Sequence, residues 1–418
     1  MYTIIDNIII FPRFAGSKLL SNKILDNIIN KIPDGLTINM NYTGQSNENQ
    51  NLVINHIFNN IYSKNMITNG FAGLTLKLMA GCHAKDTNIL MFDGSIKKVQ
   101  DITVNDLLMG DDSTPRKILK LVRGKDMMYK ITNTNGESYI VNKDHILCLQ
   151  YTNKNTIRYY EKYQCYLAIW FDKIKICIYQ KRFKTKVEAE LFMSTIIEDY
   201  IVEISVNDYL KLNKSFHKNL KEYKTQIEYP FKEFIIDPYM IGYWLGNRTD
   251  LTEKFGSNEF SNNLYKLNVI NNKHIPDIYK YNNRENRLKL LAGLLDANGS
   301  LDKCKTSFEF SQSIKNEKLF DDVLYLARSL GFACYKNINQ DNTTYRMIIS
   351  GFGIENIPTL CSSKKAIPRK QIKDPLVSQI SIKQLEIDNY YGFQVDKNNR
   401  YVMGSFTVTH NCGKSFCA

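Results

Sequence analysis

The chain closes on "FTVTHNCGKSFCA", residues 406–418, and the reading of this stretch decides the rest. Its "CGKS" is the tail of a phosphate-binding loop, a motif that needs an apolar strand before it and a helix after it. Here His410 and Asn411 stand where the strand should end, and the chain reaches only Ala418 after Ser415. A suitable strand does occur far upstream, in "LTLKLMAG" at 74–81, where it runs into Cys82. Deleting 82–411 gives "LTLKLMAGCGKSFCA", in which Gly81, Cys412, Gly413, Lys414 and Ser415 read G-C-G-K-S. This is the compact G-x-G-K-S/T loop, whose backbone N–H groups and lysine hold phosphates. The first glycine of the longer signature is replaced by Leu78. Two half-motifs thus mark the borders of one inserted segment.

The border residues are a set of parts for removing that segment. The Cys82 thiol can attack the unhindered carbonyl of Gly81, turning an amide into a thioester through an oxyanion. Cys412 can take over the acyl group. The Asn411 side-chain amide can attack its own backbone carbonyl, close a five-membered ring and break the bond to Cys412, with His410 beside it for proton transfer. The expected reaction is intramolecular and needs no cofactor.

Composition sets the frame. A chain of 418 residues has room for about three domains. Apolar residues at 43% are enough for large cores, and the net charge of +13 biases the surface toward polyanions such as double-stranded DNA. Nine cysteines, an odd number without paired spacing, argue against a disulfide framework or zinc site and for a reducing, intracellular (cytoplasmic) home. No run of eighteen apolar residues occurs, so no membrane span is expected. The opening "MYTIIDNIIIFPRF" lacks a basic leader and a cleavage site and is read as structure.

Along the chain the texture changes three times. Residues 1–81 mix helix and strand signals, with a helix-like face at Leu52, Ile54, Ile57, Phe58 and Ile61. From Cys82, short strands broken by "DG" and "GDDSTP" turns predict an all-β region to 227, with a strand–strand–strand–helix piece within 155–200 whose helix covers Val187–Tyr200. From 228 to 372 the pattern is α/β, with helices in "DPYMIGYWLG", "RENRLKLLAGLLDANGSL" and "NEKLFDDVLYLARSLGF". Strands return over 373–411, and 412–418 completes the interrupted loop. An all-β domain interrupted by an α/β one is the layout of a domain inserted in a surface loop.

At this point the chain resembles a known family. "CHAKDTNILMFDGSIKKVQDITVNDLLMGDD" is similar to the amino-terminal block of inteins and "FQVDKNNRYVMGSFTVTHNC" to their carboxy-terminal junction. "VNKDHIL" resembles the internal block whose polar residues polarise the first scissile amide, here Asn142 and His145. The resemblance implies the horseshoe-like all-β Hint fold over 82–411, with Cys82, Asn142, His145, His410, Asn411 and Cys412 as catalytic residues. Asn105 stands where the family usually has glycine, and "NNR" at 398–400 where many members carry histidine. A Hedgehog-like autoprocessor would leave Asn411 and Cys412 without a role.

The inserted segment has its own resemblance. "LKLLAGLLDANGSL" is similar to the signature helix of LAGLIDADG (DOD-type) homing endonucleases, and "DPYMIGYWLGNRTD" to the partner helix. Gly242 and Gly293 would let two helix backbones approach closely. The family's metal-binding carboxylates are replaced by Asn247 and Asn298, while Asp296 is retained. Asparagine keeps an oxygen but lacks the charge that attracts Mg²⁺, so these two would be weak ligands. The interval from Asn247 to Leu291 is also short for a full first repeat. The resemblance implies a degenerate endonuclease; an active site-specific endonuclease and a non-catalytic DNA-binding remnant are the competing readings. The joined flanks resemble the start of a superfamily 2 helicase-like ATPase, which implies ATP for the intact host protein only, with no hydrolysis by this chain. Gln50 is compatible with an adenine contact there.

Overall fold

A computed structural model describes residues 82–247, 258–370 and 373–410, together with the antiparallel pairing of Thr3–Ile5 with Ile8–Ile10. The expected helix near 52–61, the strand at 74–81, Gly81, Asn411, Cys412, Gly413, Lys414 and Ser415 lie outside the described residues. The chain divides into two compact units, Met1–Met79 with Gly413–Ala418, and Ala80–Cys412.

The second unit is organised by one long ribbon. Pro115–Asn133 pairs antiparallel with Ile380–Val395, from Ile380 opposite Asn133 to Val395 opposite Ile118. Alternating lysines and β-branched residues suit a ribbon wetted on one side. Its ends are buried and its middle is open, so it enters two separate cores. One contains Ile118, Phe393, Val395 and Tyr401; the other contains Ile131, Leu147, Val202 and Ile380. His83–Ala84 joins the ribbon beside Tyr390 and Tyr391, and Ser138–Asn142 pairs on its other side. A second sheet orders Val377–Ser378, Leu220–Tyr223, Ile146–Tyr151, Val408–His410 and Arg400–Val402, with Ile201–Ser205 also on Ile146–Tyr151.

The α/β segment leaves and re-enters this second sheet at one place. Leu220–Tyr223 pairs with Val377–Ser378, and the Lys224 N–H donates to the Leu376 carbonyl at 3.0 Å. Between them, Pro238–Gly246 begins with Asp237 accepting the N–H groups of Tyr239 and Met240, with Pro238 in the first turn where its missing N–H is harmless. Arg284–Asn298 is capped by Asn283. The two helices touch through glycine: a Cβ at Gly242 would lie 2.2 Å from the Leu290 carbonyl oxygen, and one at Gly293 2.1 Å from that of Tyr239. After them come a four-stranded antiparallel sheet, in the order Gly299–Leu301, Ser307–Ser313, Thr344–Ser350, Asn337–Ile338, and the helix Glu317–Ser329. Among the described residues no strand falls between Asn247 and Arg284.

This segment is packed onto the β-rich part by buried polar contacts. The Tyr325 hydroxyl donates to the Gly94 carbonyl at 2.9 Å, and Arg328 donates to Glu137 at 2.5 Å. Arg287 is fully buried; it donates to the carbonyls of Ile227 and Asn282 and to the Ser329 hydroxyl, and burial lowers its pKa to about 10. Phe406 sits in the left-handed region at φ 68° to reach Tyr325, a strained choice for a bulky residue that tertiary packing enforces.

A smaller sheet of Thr156–Tyr160, Cys165–Asp172 and Cys177–Phe183 carries the helix Lys186–Met193, started by a capping box of Thr185 and Glu188. The helix stops short of the expected Tyr200. The hydroxyls of Ser194 and Thr195 bond back to the carbonyls of Leu191 and Phe192, and the chain turns to form Ile201–Ser205. Among the described residues no helix is long and apolar enough to cross a membrane.

The nearest atoms to a Cβ at Gly293 are all backbone of the facing helix, so nothing flexible can yield to a side chain there. Gly293→Ala in a Cys82→Ala chain is expected to destabilise the unit by about 1–3 kcal/mol, read as a lower urea midpoint at unchanged slope.

Candidate active site

Cys82 lies at the start of the second unit and is buried at 1% exposure. Its backbone makes a reciprocal pair with Asn142: the Cys82 N–H donates to Asn142 Oδ1 at 2.8 Å, and the Asn142 N–H donates to the Cys82 carbonyl at 3.0 Å. The first of these bonds is made by the amide that links Cys82 to the residue before it. Asn142 is itself steadied by Nδ2 donating to Asp126 Oδ2 at 3.4 Å, and Asp126 lies 3.6 Å from the Lys143 ammonium. The thiol rests on Gly392 of the long ribbon, where a Cβ would lie 2.3 Å from Sγ. Any side chain at 392 would displace the nucleophile. The signal was in the sequence, an isolated glycine in a strand pattern, which marks a close approach.

Next to the thiol, His83 is fully buried, with Nε2 2.6 Å from the Tyr401 hydroxyl and its ring 4.7 Å from that of His145. Burial pushes its pKa down to about 3, so the ring is neutral at physiological pH. His145 follows a tight turn in which its N–H donates to the Asn142 carbonyl, and its Nε2 lies 2.7 Å from Thr409 Oγ1. The last strand therefore reaches the first block. Thr409 pairs with Leu147 and His410 with Ile146.

Successive side chains of a strand point to opposite faces. Thr409 thus faces His145, while His410 turns to the other face, where its Nε2 lies 3.4 Å from Glu203 Oε2. Glu203 accepts from Arg400 Nε at 2.7 Å, Arg400 lies 3.6 Å from Asp111, and Asp111 accepts from Asn398 at 2.9 Å. Arg116, wholly buried, adds a guanidinium 3.0 Å from Asp111. The "NNR" stretch and the "GDDSTP" turn are therefore one polar cluster behind His410. Glu203 escaped the sequence reading, although a lone carboxylate in the apolar alternation "IVEIS" was its available signal. Asn105 lies in the Thr103–Asp106 turn and is not among the residues of positive φ, so glycine is not required there. Cys148, opposite Glu203, has its thiol pKa pushed up by burial and by that carboxylate.

Four expected residues, Cys82, Asn142, His145 and His410, are thus brought to adjacent strands. The endonuclease set behaves differently. Asp296 Oδ2 accepts from the Tyr239 hydroxyl at 2.9 Å and from the Leu360 and Cys361 N–H groups at 2.6 and 3.3 Å. Asn298 donates its side chain to the Ser311 carbonyl at 2.6 Å, and the Asn247 carbonyl accepts from Lys273. The Lys364 ammonium donates to the carbonyls of Leu295 and Asp296 at 2.9 and 2.8 Å, putting a positive charge at the end of the Arg284–Asn298 helix. Among the described residues no group of three or more His, Cys, Asp or Glu could hold a metal ion. These residues do not fit Mg²⁺.

Comparison with known proteins agrees with the β-rich half of this picture. A curated relative, "Replicative DNA helicase DnaB" of Mycobacterium intracellulare, is 30% identical over 125 residues, covering 26% of this chain and 21% of that protein. The catalytic subunit of the V-type proton ATPase of Candida tropicalis is 36% identical over 90 residues, covering 19% of this chain and 8% of that protein. The chain thus spans about a fifth or less of the length of these relatives. Two solved structures of the gp41-1 intein, one a substituted form, are similar at 17% and 18% identity with TM-scores of 0.16 and 0.15. Both matches cover 30% of this chain, and 81% and 80% of those chains. The family described as Hom_end-associated Hint matches residues 82–410. The chain belongs to the Hom_end-associated Hint family and carries a Hint domain.

Proposed function

We propose that this chain excises residues 82–411 and joins Gly81 to Cys412, restoring the phosphate loop that the segment interrupts. The observation that carries the proposal is the meeting of the segment's two ends: Cys82 bonds Asn142, and His410 pairs beside His145 on the strand that follows. In the first step Cys82 Sγ attacks the Gly81 carbonyl; the C–N bond breaks, and the thiol proton ends on the freed amine. Asn142 holds that amide in place. Cys412 Sγ then displaces Cys82 Sγ from the thioester. The Asn411 side-chain nitrogen attacks its own carbonyl, forms a succinimide and frees the Cys412 amine, which receives the acyl group from its own sulfur as an amide. No water, metal or oxidant is consumed, and the thiols suit a reducing compartment. Glu203 and Arg400 orient His410 for the cyclisation step.

The inserted segment is read as the remnant of a LAGLIDADG-type homing endonuclease that retains its helix pair and has lost cleavage. Lys364 on the helix-end carbonyls, with asparagine at 247 and 298, supports this reading. The interrupted protein is read as an ATPase whose ATP site forms only after splicing.

Intact mass spectrometry of the expressed chain should find a succinimide-ended 82–411 and the joined flanks; both should vanish in Cys82→Ala with Asn411→Ala. A chain that stays full length under reducing conditions would sink the proposal. In a Cys82→Ala background, Glu203→Gln should slow release at Asn411 by about tenfold. In Asn411→Ala it should leave thiol-induced cleavage before Cys82 intact, and equal losses at both ends would mean mere damage to the fold. DNA carrying the uninterrupted junction should stay uncut with Mg²⁺ or Mn²⁺, whereas site-specific double-strand breaks would restore the active-endonuclease reading.

A further inference from the structure

The hairpin of Arg400–Val402 and Val408–His410 meets the amino-terminal junction through two hydroxyl groups. Tyr401 and Thr409 stand opposite each other in its register, so both side chains lie on one face. The Tyr401 hydroxyl is 2.6 Å from His83 Nε2, and the Thr409 hydroxyl 2.7 Å from His145 Nε2. The two imidazoles are themselves neighbours, tilted by 59° with centroids 4.7 Å apart. All four side chains are buried, and Phe393 packs edge-on against the Tyr401 ring at 4.9 Å. Among the described residues the phenol's only hydrogen-bond partner is His83 Nε2, so its proton has one place to point. Burial, reinforced by charge on the Cys82 sulfur, pushes the phenol pKa well above its ordinary value, so that proton stays in place. Tyr401 therefore donates, and His83, neutral with its pKa lowered to about 3, must carry its own proton on Nδ1. His83 Nδ1 is buried and has no partner among the described residues.

We propose that His83 is a further catalytic residue of the first step, with Tyr401 as its positioning residue. The Tyr401 hydroxyl fixes His83 in its Nδ1–H form, and that N–H donates to the charge that passes from the Cys82 sulfur to the Gly81 carbonyl oxygen. The inference rests on the splicing reading. A buried donor without an acceptor is costly in the resting chain. The cost is recovered when an oxyanion forms beside it in a dry site, where a fixed dipole acts at full strength. The S–C bond forms, the C–N bond breaks and the thiol proton passes to the freed amine. His83 keeps its own proton throughout, so the step needs no imidazolium. Tyr401 belongs to the last hairpin, which the inserted segment separates from Cys82. Thioester formation therefore waits until that hairpin has docked on the first strands.

The test uses the full chain. In Asn411→Ala, cleavage before Cys82 by added thiol reads the first step; in Cys82→Ala, release at Asn411 reads the last. Tyr401→Phe keeps the packed ring and removes only the hydroxyl. It should slow the first step about tenfold and the last far less. A second measurement reads the tautomer itself, which a merely structural role would not move. In the doubly blocked Cys82→Ala, Asn411→Ala chain, ¹⁵N-imidazole spectra should show His83 protonated on Nδ1, its signal assigned by its absence in His83→Gln. Tyr401→Phe should move that proton toward Nε2. A first step as fast in Tyr401→Phe as in its parent, equal slowing of both steps, or a parent His83 protonated on Nε2 would each overturn the inference and leave the splicing reading standing. An Asn411→Ala parent that added thiol does not cleave at all would overturn the splicing reading, and the role of His83 with it.

Discussion

The antiparallel pairing of Pro115–Asn133 with Ile380–Val395 is the constraint on which the rest depends. It joins two halves of a domain separated by the whole inserted segment and closes two cores at its ends. From that ribbon hang both His83–Ala84 and the strands that bring His410 back to Ile146. Loop-closure entropy grows only slowly with loop length, so a long guest costs little once the register is set. The adjacent strands Leu220–Tyr223 and Val377–Ser378 make the neck through which the guest departs and returns, so its presence need not distort the sheet.

The site at the ends of the segment is built from unlike environments a few ångströms apart. On the face of Cys82, His83 is dry and neutral and Tyr401 and His145 pack against it, so that wall is apolar in charge though rich in hydrogen bonds. On the opposite face, His410 meets Glu203, Arg400 and Asp111. The first environment encloses a thiol, and the second sets a carboxylate 3.4 Å from an imidazole. Arg400 belongs to the very stretch in which many family members carry histidine. Here a guanidinium acting through a carboxylate fills the space behind the penultimate histidine.

In the inserted segment, packing turns on two glycines. The helix pair needs Gly242 and Gly293, since any side chain there would meet backbone, and both glycines remain. Asp296 is structural: it ties Tyr239 and the loop at Leu360 to the helix end.

Much of this was legible without coordinates. The Cys82 and His410 borders and the helix-forming stretches of the inserted segment are local patterns, and local patterns are written in consecutive residues. Asn142 and His145 were legible only through resemblance, because nothing in "VNKDHIL" says what its asparagine bonds. Gly392, Glu203 and Arg400 acquire their places from pairings that join residues hundreds of positions apart. By itself, then, the sequence determined where the segment begins and ends and which groups could break its borders. Which strand lies beside which, and hence which charges face His410 and which atoms enclose Cys82, was decided by the register of the long ribbon, because side-chain facing alternates at every residue and a one-residue slip would reverse it.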